Sequence, residues 1–294
     1  MELFRALAVF AEPPSEESAS VARALGLSAL PAASEYTEIF VFQLYPYASV
    51  YLGAEGMLGG EARDLIAGFW RALAQTPPPE PDHLSIMLAL YAELAGHEAN
   101  ERDNARRESW HHARGALLWE HLLSWLPVYL SKLMEIATPF YVRWGEILLD
   151  ALLAEARATG TQEQLPLHLR DAAAGLVDPR EGETGEFLQS LLSPVRSGMI
   201  LVRSDLTRAA RTLELGLRIG ERKYILESLL AQDACGVLDW LAREATSWSE
   251  RHRQQHDALA GIARAWEAKA IASARLLEEL KAATDGEDQT ASGG

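Results

Sequence analysis

Cysteine is almost absent from this chain. Cys235 stands alone among 294 residues, which excludes an internal disulfide framework and any zinc or iron–sulfur site built on several thiolates. No apolar stretch is long enough to cross a bilayer. The opening MELFRALAVFAEPPSEE carries an acid at its second position and only a short apolar run before its prolines. It lacks the basic start and long apolar centre of an export signal. These absences predict a cytoplasmic protein in a reducing environment, without stable membrane insertion. Positive charge is scarce too: 27 Lys and Arg face 42 Asp and Glu, a formal net charge of −15. Such a balance argues against nucleic acid or an anionic membrane as the main partner and suits a partner carrying basic residues.

The common signatures of catalysis are also missing. There is no GxSxG elbow and no GxxxxGK[ST] or GxGxxG phosphate loop. Cys235 lies in the apolar helical pattern DACGVLDWL, the setting of an inert buried thiol. Histidines are locally dense at His97, His111, His112 and His121, yet none forms HExxH and no cysteine supports them. They read as solvated helix ends. The sequence therefore predicts no catalytic residue, no metal ligand and no cofactor.

What is present is helix. Leu84, Met87, Leu88, Tyr91, Leu94 and Ala95 repeat at helical spacing. Residues 113–134, ARGALLWEHLLSWLPVYLSKLM, are apolar nearly all round, as in the middle of a bundle, with Pro127 expected to kink them. Thr138 and Pro139 read as the cap and first residue of the next helix, whose stripe is Tyr141, Trp144, Leu148 and Leu152. After a polar break near 159–184, helical signals return at 185–193, 204–217 and 221–231. Residues 234–283 read as one long amphipathic helix, and DGEDQTASGG as a disordered tail. Strand alternation is lacking, apart from a short extended stretch at 199–202. The expected fold is all-α: a single helical bundle domain with a long C-terminal helical extension. Its parts are an N-terminal segment (1–34), the bundle (35–232), the extension (233–283) and the tail (284–294).

One short stretch stands out. PPPEPDHLSIMLALYAEL, residues 77–94, sets an acid and a histidine side by side at the mouth of a helix. Asp82 is expected to cap that helix, where a carboxylate meets free N–H groups and the positive end of the dipole. Capping does not account for His83, which near neutral pH can donate, accept or carry charge. Aromatic residues crowd the first half of the chain; most belong to a core, and some could line a groove for an apolar segment.

Several stretches in order resemble the TorD/DmsD/NarJ-type redox-enzyme maturation chaperones. That family's signature is a Pro-x-Asp-His helix start behind an acidic residue. Here it reads Glu80-Pro81-Asp82-His83, with nothing between proline and aspartate. The later His-Leu and Trp-Leu-Pro pattern falls on His121-Leu122 and Trp125-Leu126-Pro127, and the aromatic ahead of the signature on Phe69-Trp70. The resemblance covers about 40 to 155; LLSPVRSGMILVRSDL, 191–206, resembles longer members.

The resemblance implies a TorD-like, all-helical cytoplasmic chaperone without enzymatic activity. Such a protein binds the precursor of a molybdoenzyme catalytic subunit, through its twin-arginine signal peptide or its immature body, and assists cofactor insertion before export. It implies a client-binding site on Glu80, Asp82, His83, Trp70, Tyr51, His121 and Trp125. Carboxylates would hold the arginines and aromatics the apolar run. Homodimers by helix swapping occur in the family. Two other classes stay open: a histidine-rich, metal-dependent helical enzyme around His83, His97, His111, His112 and His121, and a scaffold that binds another protein through its last helix.

Overall fold

The computed structural model describes residues 2–27, 30–160, 164–172 and 174–292. Among them every regular element is helical, and the one β-type pairing is an isolated antiparallel bridge between Tyr47 and His83. The all-α expectation holds. Two compact units divide the chain: residues 1–53 with 57–171, and residues 54–56 with 172–294. Their boundary falls inside the 35–232 segment that the sequence reading treats as one domain.

The first unit is built on α1 (Glu2–Ala8), α2 (Gly60–Ala72), α3 (Leu84–Asn100), α4 (Asn104–Ala116), α5 (Leu126–Ile136) and α6 (Pro139–Thr159). Leu88 and Tyr91 of α3, Tyr129 of α5, and Trp144 and Leu148 of α6 turn inward and are buried. Each such side chain withdrawn from water contributes roughly 1.5–3 kcal/mol. Aromatic edges and polar tips then fix the packing. Phe4 meets the Tyr91 ring at 4.8 Å, and the Trp144 indole N–H donates to the Leu7 carbonyl at 3.0 Å.

Pro127 does something other than kink a helix. Residues 113–134 are interrupted: α4 ends at Ala116, a π-helical segment follows over Leu117–Leu122, and α5 starts at Leu126 with Pro127 in its first turn. A proline is tolerated there because the N–H it lacks has no helical acceptor anyway. A second π-helical segment spans Thr37–Gln43. Both end in wide turns, Leu44 N–H to Ile39 O at 2.7 Å and Leu123 N–H to Leu118 O at 2.8 Å. Pro139 stands at the start of α6 as expected, but Thr138 makes no side-chain cap bond.

The longer helices of the second unit are α7 (Thr184–Leu192), α8 (Arg203–Thr212), α9 (Arg222–Gln232), α10 (Ala234–Arg253) and α11 (Gly261–Ser292). The expected single helix over 234–283 is corrected to a hairpin. The chain leaves α10 at Gln254, passes a single turn at His256–Leu259, and reverses at Ala260, whose φ is +43°. Contacts run in opposite order along the pair: Cys235 with Asp285, Asp239 with Lys281, His252 with Trp266. The periodic apolar pattern belonged to two antiparallel helices that face each other, each stripe hiding the other's. α11 also continues through most of 284–294, read from composition as a disordered tail. A helix already nucleated by packing gains a backbone bond with each added residue. Residues 199–202 form no strand.

Candidate functional site at the signature turn

The Glu80–His83 turn is held by two neighbouring segments of the first unit. Pro46–Ala48 runs beside it: Leu84 N–H donates to the Pro46 carbonyl at 2.8 Å, and Ala48 N–H to the Asp82 carbonyl at 3.0 Å. The Asp82 carboxylate then accepts the Ser49 N–H at 3.2 Å. Asp82 therefore caps the short helix Ala48–Leu52, whose own preceding residue, Tyr47, makes no side-chain cap bond. The cap of α3 is His83, whose ring nitrogen accepts the Ser85 N–H. This corrects the expectation that Asp82 caps α3. The closed Pro81–Asp82 spacing puts the histidine, and not the acid, at the non-helical position before Leu84.

Both signature side chains are buried, Asp82 at 2% and His83 at 5% exposure. Direct client contact by this pair, which the resemblance implies, would need solvent access that neither side chain has, because the 46–49 segment is bonded across it. His83 Nδ1 is 2.7 Å from Ser85 Oγ and 3.5 Å from the Glu12 carboxylate, and the Ser85 hydroxyl donates to Glu12. Burial lowers the His83 pKa, outweighing the carboxylates of Glu12, Glu80 and Asp82. The His83 ring sits edge-on to Tyr47 at 4.7 Å.

Glu80 is the exposed member of the signature. Its carboxylate lies beside the Tyr47 hydroxyl, which burial first and this carboxylate next push up to about 12. Tyr36, half-buried beside Glu12, is likewise pushed up to about 12, by burial and then by Glu12. The turn thus shows solvent two acids, Glu12 and Glu80, and the rims of two tyrosines, over a buried Asp–His pair. Val41, Phe42 and Tyr45, in the 37–43 segment and just after it, are exposed.

The other residues implied by the resemblance lie deeper. Tyr51 and Trp125 are buried and stack with ring centres 5.2 Å apart and planes 10° from parallel; Tyr51 also donates to the Tyr45 carbonyl at 2.8 Å. Neither offers a surface to a partner in this conformation. His121 is buried in the 117–122 segment against Phe69 (5.1 Å) and places Nδ1 3.0 Å from His168 Nε2. Glu120 brings His168 there by accepting the Leu167 N–H at 2.7 Å. Burial and the neighbouring His168 push His121 down to about 3, and burial pushes His168 down to about 4. Near neutral pH the two are a neutral imidazole pair. Trp70, on α2, is half-buried, and its buried indole N–H has no acceptor among the described residues. The seven residues therefore do not form one patch: Asp82 and His83 share the signature turn with Glu80, and Tyr51, Trp125 and His121 belong to the core.

Glu12, Ser49 and Ser85 complete the turn and were not singled out from the sequence. The usable signal was the second residue of α3: a serine two places after a capping histidine can bond its ring. The surface histidines have other partners. His97 stacks on Trp110, with centres 4.7 Å apart, and His111 bonds Glu98 at 2.9 Å. Among the described residues no three His, Cys, Asp or Glu side chains converge as metal ligands, and no helix is long and apolar enough to cross a membrane.

Comparison with known proteins adds one match. Residues 11–130 match the model of a family described as nitrate reductase delta subunit, the NarJ/TorD-type chaperones. The matched segment contains Glu12, the 37–43 segment, the signature turn, His121 and Trp125. No curated protein and no solved structure matches the chain.

Proposed function

We propose that this chain, a nitrate reductase delta-type protein over residues 11–130, binds the precursor of a molybdoenzyme catalytic subunit in the cytoplasm. It would do so before the client is exported, without catalysing a reaction. The family is one of molybdoenzyme maturation chaperones. The observation that carries the finer reading is the signature turn, where a buried Asp82–His83 pair holds a rim that exposes Glu80 and part of Glu12.

Guanidinium groups of a twin-arginine segment fit that rim, since carboxylate–arginine pairs combine charge with bidentate geometry. The apolar run that follows the arginines has Phe42, Tyr45 and Val41 to lie on, all exposed in the same unit. Asp82 and His83 act indirectly in this reading: they set the turn and do not touch the client. Tyr51, Trp125 and His121 support it from the core. The net charge of −15 raises encounter rates with a basic peptide. The 37–43 segment is π-helical, a conformation frequent at functional sites.

Capture from native cytosol with the full chain, followed by mass spectrometry, tests the function. A molybdoenzyme catalytic subunit retaining its signal peptide should be enriched. Recovery only of partners unrelated to molybdoenzymes would overturn the reading. Titration with the synthetic signal peptide, and separately with the client lacking it, then decides which part is bound.

A further inference from the structure

A recess of the first unit lies apart from the signature turn. It lies between the C-terminal end of α2 and α4, has a volume of about 530 Å³, and is lined by Leu73, Ala74, Glu101, Arg106, Trp110 and Ala113 among others. Volumes of this order are typical of small-molecule sites. The apolar part is Leu73, the Trp110 indole and the alanines, whose small side chains leave the space open. The wall is braced from behind: His97 stacks on Trp110, and Glu93 bonds both His97 at 3.4 Å and Gln75 at 3.3 Å.

The backbone at the rim is unusual. Ala74 has φ +58°, a left-handed conformation without glycine. The bonds Ala74 N–H to Arg71 O (2.9 Å) and Gln75 N–H to Trp70 O (3.1 Å) hold the turn in place.

Two charges of opposite sign line the same recess. The Arg106 guanidinium has no ion-pair or hydrogen-bond partner among the described residues. Glu101 spends one oxygen, Oε1, on the N–H groups of Arg102 (2.8 Å) and Asp103 (3.0 Å). Its other oxygen has no bond to a described residue. Among the described residues Arg106 and Glu101 form no salt bridge with each other, although both line the recess. One cation and one free carboxylate oxygen beside an apolar wall match a ligand carrying one of each charge and an apolar body. A polyphosphate would need several cations, and an uncharged apolar ligand would leave both charges unmatched.

We infer that this cleft binds a small zwitterion with an apolar body, the chemistry of a free apolar amino acid: carboxylate to Arg106, ammonium to Glu101, side chain against Trp110 and Leu73. The inference does not depend on the chaperone reading, because no client is involved.

Three probes of the same body separate its parts: L-phenylalanine, 3-phenylpropionate, which lacks the ammonium, and phenethylamine, which lacks the carboxylate. Their dissociation constants for the full chain are measured by ligand-observed NMR, with far-UV circular dichroism to check each variant's fold. L-phenylalanine should bind about tenfold tighter than either truncated probe, the equivalent of about 1.4 kcal/mol. Arg106→Gln should weaken L-phenylalanine about tenfold and leave phenethylamine unchanged; Glu101→Gln should weaken it similarly and spare 3-phenylpropionate. Ala113→Trp, which fills the recess, should abolish all three. Absence of L-phenylalanine binding at 10 mM would overturn the inference. Equal affinity for the three probes, or indifference to both charge substitutions, would overturn it as well. The two charge variants lie at partly or fully exposed positions, so the test stands even if Ala113→Trp fails to fold.

Discussion

The Asp82 carboxylate accepts the Ser49 N–H at 3.2 Å, 33 positions away in the chain. An acid in one helix-start motif thereby caps a different helix. The bond joins the signature turn to Ala48–Leu52, and so to Tyr51, which packs on Trp125 in the core. Removing the carboxylate leaves a buried N–H without its acceptor, which costs about 1–3 kcal/mol. Asp82→Ala is expected to lower stability by about 1–2 kcal/mol, whereas Asp82→Asn, which keeps an oxygen acceptor, should lose less. Urea unfolding at pH 7 measures both. An unchanged midpoint for Asp82→Ala would show that this cap does not contribute to stability.

Buried histidines make the fold acid-sensitive. His121 is held down to about 3, by burial and by His168, and His168 and His252 are each held down to about 4, chiefly by burial. Folded values below the ordinary value near 6.5 mean that the unfolded chain binds more protons in between. The stability these groups contribute is complete above about pH 6.5 and is lost as pH falls toward about 4. A single such group can change the slope by up to about 1.4 kcal/mol per pH unit. Thermal unfolding between pH 7.5 and 4.5 should show a steadily falling midpoint. The His121→Gln, His168→Gln double variant should be flatter over that range, though less stable at pH 7. A parallel fall in both proteins would assign the acid sensitivity to other groups.

Gly198 turns back against α11 with φ +74°, and a Cβ added there would stand 2.2 Å from the Ala270 backbone nitrogen. Its carbonyl also meets His252 Nε2 at 2.8 Å, and Ser273 bonds the preceding Ser197 carbonyl at 2.8 Å. Backbone has no room to retreat there. Gly198→Ala is expected to destabilise by about 3 kcal/mol, combining overpacking with the left-handed conformation. Chemical denaturation measures the change; a loss under about 1 kcal/mol would mean that α11 shifts easily. The glycine lies in LLSPVRSGMILVRSDL, which the sequence reading singled out only as resembling longer members of the family.

Much of the fold was legible because it rests on local signals. The α3 stripe, the Pro139 start of α6 and the all-helical character follow from spacing and capping chemistry that act within a few residues. What the sequence hid was tertiary. The 234–283 stripe fits one helix or two, and only the reversal at Ala260, a residue with no turn preference, decides between them. Asp82 and His83 read as an accessible pair because burial depends on the 46–49 segment lying over them. Tyr51 and Trp125 read as groove candidates because an aromatic is the same letter in a core and on a surface. Glu12 was silent: an acid near the N-terminus gains meaning only once Ser85 and His83 stand beside it.

Exposure separates the acids in what they can do for a cationic client. Glu80 is exposed, and Glu12 keeps about half of its side chain in solvent, with 51% accessible; Asp82 faces inward. If the client's arginines dock on this rim, Glu80→Gln should weaken binding of the client's signal peptide with little effect on the fold, since Glu80 is exposed and its carboxylate meets the half-buried Tyr47 hydroxyl, which an amide can still engage. An exposed pair is worth about 0.5 kcal/mol, so the expected loss is two- to threefold. A pair desolvated by the bound peptide would cost roughly 2 kcal/mol or more. Asp82→Asn should alter affinity only as far as it loosens the turn, and so less than Glu80→Gln at equal salt. Raising salt should weaken the native chain, because exposed charges are screened within about 8–10 Å at physiological ionic strength. The same rise should affect Glu80→Gln less, while contacts to Phe42 and Tyr45 leave a salt-resistant remainder. Calorimetric titration at low and high salt reads all three. Affinity that ignores Glu80 and salt would move client recognition off this rim.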